Sequence, residues 1–121
     1  MFRPAWFVPA LFLLLGAVAT AQDQPVTAKE IQETWVGKVL AGTAANGTAV
    51  TMAIQADGSA SLTAGSTGDS GTWRVLENGY CTTWKKIRAG QERCYSASRS
   101  GAKVTVLNPD GSVSGYFTEI R

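Results

Sequence analysis

The 121-residue chain has no histidine and only two cysteines. Without histidine, the commonest general base and the Ser-His-Asp arrangement are missing. Two thiols also fall short of the four ligands that a structural zinc site needs. We therefore expect a protein that is not an enzyme, with no catalytic residues, no metal and no cofactor.

Only one long apolar run is present, over residues 5–18, and Arg3 precedes it. The run is shorter than the about 20 residues that a membrane-spanning helix needs. It is followed by Ala19-Thr20-Ala21, which fits the small-x-small rule for signal peptidase. The sequence therefore predicts a signal peptide over residues 1–21, export to the periplasm or out of the cell, and no stable membrane span after cleavage.

Cleavage after Ala21 of the 121 residues leaves 100, which is room for one domain. We predict an N-terminal segment with a short helix at 22–36 and a β-barrel domain at 37–121. Thr27 and Glu30 have capping-box spacing, in which the two side chains satisfy two free backbone N–H groups. Ile31 and Trp35 share one helix face, so we expect the helix to plug or lean on one end of the barrel.

Turn signals recur every ten or eleven residues, at Asn46-Gly47, Asp57-Gly58, the loop 66–69, Asn78-Gly79, Ala89-Gly90, Ser100-Gly101 and Asp110-Gly111. Asn-Gly and Asp-Gly suit type I′ hairpin turns, because both residues tolerate positive φ. Between the turns, apolar residues alternate with small or polar ones, as in a strand. The pattern predicts an all-β antiparallel meander of about eight strands, closed as a small barrel. The strands are expected near 37–44, 48–56, 59–65, 71–77, 80–87, 92–99, 102–108 and 112–120.

Cys81 and Cys94 bound the segment CTTWKKIRAGQERC. An exported protein typically joins such a pair in a disulfide, whereas a catalytic redox pair normally has C-x-x-C spacing. A two-residue turn at Ala89-Gly90 would place Cys94 opposite Lys85, about 13 Å along the strand from Cys81 and beyond bonding reach. Pairing then requires a bulge or a longer loop centred near Ile87-Arg88, and we favour the longer loop.

The charge is unevenly distributed, although the net charge is only +2. Residues 74–103 contain seven basic and two acidic residues. The basic residues of the cysteine hairpin either form a solvated face or a tip that docks an anionic envelope component or an acidic protein. The candidate tip residues are Lys85, Lys86, Arg88 and Arg93. We expect no nucleic-acid partner in this compartment.

The large aromatic side chains allow two interpretations. They pack the core of a small domain, or some of them wall a pocket for a small apolar or aromatic ligand. The candidate pocket residues are Trp73, Trp84 and Tyr95.

The segments GTWRVLENGYCTTWKKIRAGQERCYSA and NPDGSVSGYF resemble a family of small exported alphaproteobacterial proteins of unknown function. The shared features are a G-T-W strand, a hairpin with C-x-x-W and G-x-x-x-C, and a D-G turn before the last strand, within residues 71–117. The resemblance implies a periplasmic β domain and transfers no catalytic residues. In outline the meander is also similar to avidin-like and lipocalin-like barrels. The G-x-W that opens those barrels is absent at Trp35-Val36-Gly37, so a shared ligand does not follow.

We therefore expect a non-enzymatic, exported β-barrel module that binds a small ligand, an envelope component or a protein partner. The alternative is an inhibitor that presents a loop to an enzyme such as a lysozyme. The two hypotheses predict different barrels. A ligand binder should have an internal cavity lined by aromatic side chains, whereas an inhibitor should have a filled barrel and a protruding charged loop.

Overall fold

The computed structural model describes residues 23–121, so the predicted signal peptide at 1–21 lies outside the described residues. A three-residue helix α1 (Ala28–Glu30) continues into a π-helical turn (Ile31–Trp35), and a 3₁₀ turn (Ile87–Gly90) lies between the sixth and seventh strands. The strands are β1 (Gln24–Pro25), β2 (Val39–Ala44), β3 (Ala49–Ile54), β4 (Ser59–Ala64), β5 (Thr67–Leu76), β6 (Gly79–Trp84), β7 (Arg93–Ser100), β8 (Lys103–Leu107) and β9 (Val113–Ile120).

Strands β2 to β9 form a closed antiparallel barrel. Each strand pairs with the next along the chain, and β9 returns to pair with β2, where Gly42 lies opposite Phe117. Closure leaves none of these eight strands with an unpaired edge. The predicted fold class, an all-β meander closed as a barrel with one short N-terminal helix, is confirmed.

The extra strand β1 was not predicted. It pairs with the end of β7, where Gln24 lies opposite Arg99 and Pro25 opposite Ser98. The ladder between β6 and β7 ends at the pair Gly79 and Ser96. Beyond that pair, β1 takes the place of β6 as the neighbour of β7.

The N-terminal helical segment plugs one end of the barrel, as predicted. Ile31 and Trp35 are fully buried, and the Trp35 ring packs edge-on against Tyr80 and Phe117, at centroid distances of 5.7 and 6.0 Å. The interior at this end is filled by side chains that are at most 1% exposed, namely Val26, Ile31, Trp35, Leu40, Ile54 and Val104.

The capping box is only half formed. The Thr27 hydroxyl accepts a hydrogen bond from the Glu30 N–H at 3.2 Å. The Glu30 carboxylate does not return to Thr27 but makes a bidentate ion pair with Arg99 of β7, at 2.9 Å to both donors. A charged guanidinium offers two strong hydrogen bonds in place of one backbone N–H, so the prediction that both residues cap the helix was wrong for Glu30.

Three turns share one structure that differs from the predicted type I′. In the turns at Gly47, Gly58 and Gly111, the glycine has φ near +90°, while the preceding Asn or Asp does not have a positive φ. The side chain of that Asn or Asp instead accepts a hydrogen bond from the N–H two residues later, at 2.9 Å in each turn. This is a type I turn followed by a glycine bulge. It explains why the sequence Asp-Gly-Ser occurs at both 57–59 and 110–112.

Strand β5 starts earlier than predicted. The loop expected at 66–69 is a two-residue turn at Gly65-Ser66, because Ala64 already pairs with Thr67. Asp69 therefore lies in a strand, opposite Leu62, where its side chain faces the barrel interior as that of Leu62 does.

Glycines within strands let neighbouring strands approach closely, as Gly71 and Gly42 illustrate. A Cβ atom on Gly71 would overlap the carbonyl oxygen of Thr83, and one on Gly42 would overlap that of Tyr116. Any larger residue would push the strands apart at these points, so both glycines permit the sharp curvature that closes a small barrel.

The predicted cysteine pairing is confirmed. Cys81 lies directly opposite Cys94 in the ladder between β6 and β7, and the two are joined in a disulfide. The register follows from a long connection that contains the 3₁₀ turn, as favoured above, rather than from a two-residue turn at Ala89-Gly90.

Candidate functional site

The half of the barrel opposite the helix is not filled. It contains a cavity of about 200 Å³ that opens at that end. Its floor is formed by Tyr80 and Phe117, the two rings that pack against Trp35. Its walls are mostly apolar or aromatic, and the main side chains are Val50, Met52, Leu62, Trp84, Tyr95 and Val106.

Small residues leave this space open. Interior-facing positions near the open end hold Ala44, Ala64 and Gly115, and all three line the cavity. Among residues 23–121, no segment inserts into this end in the way that the helix inserts into the other. The cavity therefore exists because the inward-facing side chains at this end are small, whereas those of the same barrel at the helix end are large.

The cavity carries a few polar groups among apolar walls. Thr82 is 2% exposed and lines the cavity together with Tyr80 and Tyr95, whose rings lie 5.3 Å apart. Burial, together with the nearby Tyr95, raises the pKa of Tyr80 well above its ordinary value. Tyr80 is therefore a neutral phenol that contributes hydrogen-bonding capacity but no charge.

A loop of residues 85–92, here called the mouth loop, folds across the open end. Its 3₁₀ turn (Ile87–Gly90) is attached to the barrel by Asp69, whose carboxylate accepts hydrogen bonds from the N–H groups of Lys86 and Ile87, both at 2.9 Å. Ile87 packs against the core and lines the cavity. The loop is therefore held against the barrel rather than extended into solvent.

Arg88 and Ala89 in the mouth loop adopt a left-handed backbone conformation. Their φ values are 57° and 54°, and they are the only non-glycine residues with positive φ among residues 23–121. Such a conformation costs about 1–3 kcal/mol per residue and persists only where surrounding contacts hold it. Here it places Arg88 at the mouth, where the residue lines the cavity.

The structure places the sequence-predicted pocket residues in two different regions. Trp84 and Tyr95 line the cavity. Trp73 lies beside the helix, in a separate open depression of about 380 Å³ that it shares with Gln32 and Val36. Its Nε1 donates a hydrogen bond to the carbonyl of Gln55 at 2.7 Å. The cavity is thus walled by two of the three predicted residues and not by Trp73.

The four predicted tip residues also have different surroundings. Lys85, Lys86 and Arg88 are all exposed on the mouth loop, and Arg88 is the one of the three that lines the cavity. Arg93 is half-buried. Hydrogen bonds from Ser112 lower the pKa of Asp110 in the neighbouring turn, and the charge of Arg93 adds to this effect. They form a basic rim around the mouth rather than one protruding tip.

The sequence interpretation missed Asp69 because it was assigned to a turn. The alternation seen at Trp73 and Val75 extends back along the strand to Gly71, Asp69 and Thr67. Following that period of two would have placed the Asp69 side chain on the interior face.

The disulfide lies on the outer face of the barrel, away from the cavity. Arg74 covers it and makes a bidentate ion pair with Glu92, at 2.9 and 3.1 Å. The hydrogen bond from Arg74 lowers the pKa of Glu92. Ligand atoms of Cys81, Glu92 and Cys94 lie within 4.8 Å of one another, but the bonded sulfurs are not thiolates, so the cluster lacks the donors that a metal site of this kind needs.

Comparisons with protein-family models, curated proteins and solved structures give no match to this chain. Within residues 23–121, no helix is both long enough and apolar enough to cross a membrane.

Proposed function

We propose that this protein is a non-enzymatic, exported barrel that binds one small, largely apolar ligand inside its open half. The observation that carries the proposal is the contrast between the two halves of the interior. One half is packed around Trp35, whereas the other contains an aromatic-lined cavity of about 200 Å³. Close packing is the rule in protein interiors, so an open apolar space of this size calls for an occupant.

The cavity volume limits the size of the ligand. An engineered apolar cavity of about 150 Å³ in another protein binds benzene, whereas sites for drug-sized ligands span about 300–1,000 Å³. A volume of about 200 Å³ therefore suits a molecule with one ring or a short branched chain.

The same geometry favours ligand binding over the inhibitor hypothesis. An inhibitor would present a rigid loop away from its surface. Here the mouth loop is fixed across the opening through Asp69, and Ile87 is packed against the core. The loop limits access to the interior and does not project.

Binding can be tested with benzyl alcohol and toluene as neutral single-ring probes, monitored by NMR shifts of Trp84 and Tyr95. We expect saturable shifts in the wild-type protein. Ala64→Leu adds carbon atoms inside the cavity and should abolish binding. Ala53→Leu makes the same change one position before the interior-facing Ile54 and should leave binding intact. Absence of saturable binding of both probes to the wild type would overturn the proposal.

Export is tested separately. The full-length chain expressed in a Gram-negative host should be recovered from the periplasmic extract. Its measured mass should be that of a chain starting at Gln22, and it should contain no free thiols. Recovery of the uncleaved chain from the cytoplasm would contradict this part of the proposal.

A further inference from the structure

Arg88 is the only charged side chain among the described residues that line the cavity. The rest of the lining is apolar, aromatic or hydroxyl-bearing. The site therefore has two parts, an apolar compartment and one positive charge at its opening.

Arg88 makes no ion pair within the described part of the chain. The ion pairs between residues 23 and 121 involve Arg74, Arg99 and Arg121. The nearby carboxylate of Asp69 is already occupied by the backbone N–H groups of Ser70, Lys86 and Ile87. Lys85 and Lys86 add further positive charge at the rim, so the mouth disfavours a cation and attracts an anion.

The backbone of Arg88 is held by the mouth loop itself. Ala89 donates a hydrogen bond to the carbonyl of Lys86 at 3.2 Å, and Gln91 donates one to the carbonyl of Arg88 itself at 3.0 Å. These bonds hold the left-handed conformation described above. Because the backbone is already fixed, only the exposed Arg88 side chain has to lose freedom when the ligand arrives.

We infer that the ligand is a small monocarboxylate with one aromatic ring, its ring within the cavity beside Trp84 and Tyr95 and its carboxylate on the Arg88 guanidinium. This inference rests on the proposed function and specifies the chemical class of the ligand. A guanidinium matches a planar carboxylate in a two-point hydrogen bond, and one unpaired cation in the lining balances one negative charge. The site is non-covalent, with no group transferred.

Phenylacetate and phenylacetamide form a matched pair of probes, because they have the same size and shape but differ in charge. We expect the wild-type protein to bind phenylacetate about tenfold more tightly, as measured by titration calorimetry, since a charge-assisted hydrogen bond is stronger than a neutral one. Added salt should weaken binding of the acid and leave that of the amide unchanged. Phenethylamine, a cation of similar size, should bind more weakly than the amide.

The decisive variant is Arg88→Gln, which removes the charge and keeps a polar side chain. It should reduce phenylacetate affinity to that of the amide while leaving benzyl alcohol binding intact, which shows that the barrel is folded and the cavity open. Lys85→Gln removes a neighbouring charge that does not line the cavity, and it should preserve the preference for the acid.

Three results would overturn the inference while leaving the proposed function standing. They are equal binding of acid and amide by the wild type, an acid preference that survives Arg88→Gln, and an equal loss of that preference in Lys85→Gln, which would assign it to the general field of the rim. Failure of both benzyl alcohol and toluene to bind the wild type would instead overturn the proposed function itself.

Discussion

Asp69 and Ile87 are 18 positions apart in the chain, yet the Asp69 carboxylate accepts a hydrogen bond from the Ile87 N–H at 2.9 Å. The same oxygen accepts a second bond, also at 2.9 Å, from the Lys86 N–H. One side chain in β5 therefore satisfies two consecutive backbone donors of the mouth loop. The loop that carries Arg88 depends on this contact for its position across the cavity.

Removing this carboxylate should release the mouth loop. In Asp69→Ala, the N–H groups of Lys86 and Ile87 lose their acceptor, and we expect their hydrogen exchange to become faster while that of the barrel strands stays slow. Asp57→Ala is the matched control, because Asp57 makes similar bonds to Ser59 in a turn at the other end. Unchanged exchange at Lys86 and Ile87 in Asp69→Ala would show that other contacts hold the loop.

The same contact should respond to acid. Burial acts to raise the pKa of Asp69, but the hydrogen bonds from the N–H groups of Ile87, Lys86 and Ser70 outweigh it, so the pKa lies below its ordinary value of 3.8. A carboxylate whose pKa is depressed by folding stabilises the folded state above pH 3.8, and this stabilisation is lost as the pH falls through the folded-state pKa. We expect the mouth loop to loosen only below pH 3.8.

The pH prediction is checked by following the N–H resonances of Lys86 and Ile87 during acid titration. The pKa values of Asp57 and Asp110 are also lowered, mainly by hydrogen bonds from Ser59 and Ser112. The change in these two resonances with pH is therefore compared between the wild type and Asp69→Asn. An identical titration of these two resonances in both proteins would contradict the assignment to Asp69.

The disulfide should contribute stability without determining the fold. Cys81 and Cys94 are 13 positions apart, and closing a loop of that size is worth about 3 kcal/mol in the chain-entropy model. We expect Cys81→Ala/Cys94→Ala to lower the free energy of unfolding by about that amount in urea denaturation. The far-UV circular dichroism should stay that of a barrel, because the seam between β2 and β9 does not involve the cysteines. Loss of the β-sheet spectrum at low denaturant would contradict this expectation.

The strand glycines provide a paired test of barrel closure. In Gly71→Ala the new Cβ would overlap the carbonyl oxygen of Thr83, so we expect β5 and β6 to separate locally and the melting temperature to fall. Gly68 lies on the same strand, and a Cβ there would be 3.8 Å from its nearest neighbour, the carbonyl oxygen of Leu62. Gly68→Ala should therefore leave the melting temperature nearly unchanged. Equal effects of the two substitutions would indicate a general intolerance of alanine in β5.

Much of the fold could be predicted because its signals are local. The turn dipeptides recur at a fixed interval, and residues such as Val50, Met52 and Ile54 alternate with small or polar ones, so strand order and pairing follow directly. The facing positions of Cys81 and Cys94 followed from the reach of a disulfide. By contrast, β1 has only two residues, too few to show an alternation. Its position depends on where the pairing of β6 with β7 ends, which the sequence of β1 does not show.

The sequence left open whether the barrel contains a cavity, because alternation shows which residues face inward but not whether they fill the space. Ala44, Ala64 and Gly115 have the pattern expected of a packed interior, and only the assembled barrel shows that they meet at one end. The left-handed conformation of Arg88 has no sequence signal either, since glycine or asparagine is the usual residue there. Trp84 and Tyr95 were predicted as pocket residues from their size alone, and size did not distinguish them from Trp73.

The junction of β1, β7 and the turn before β6 has a consequence for how the chain can be divided. The Val26 N–H binds the carbonyl of Ala97 at 2.9 Å, and the Ala28 N–H binds that of Glu77 at 3.0 Å, while Trp35 supplies part of the interior. A fragment that begins at Val39 would therefore keep all eight barrel strands but leave empty the space that β1 and the helical segment fill. We expect a synthetic peptide of residues 23–38, added in trans, to dock there and restore the native melting behaviour, as in fragment complementation.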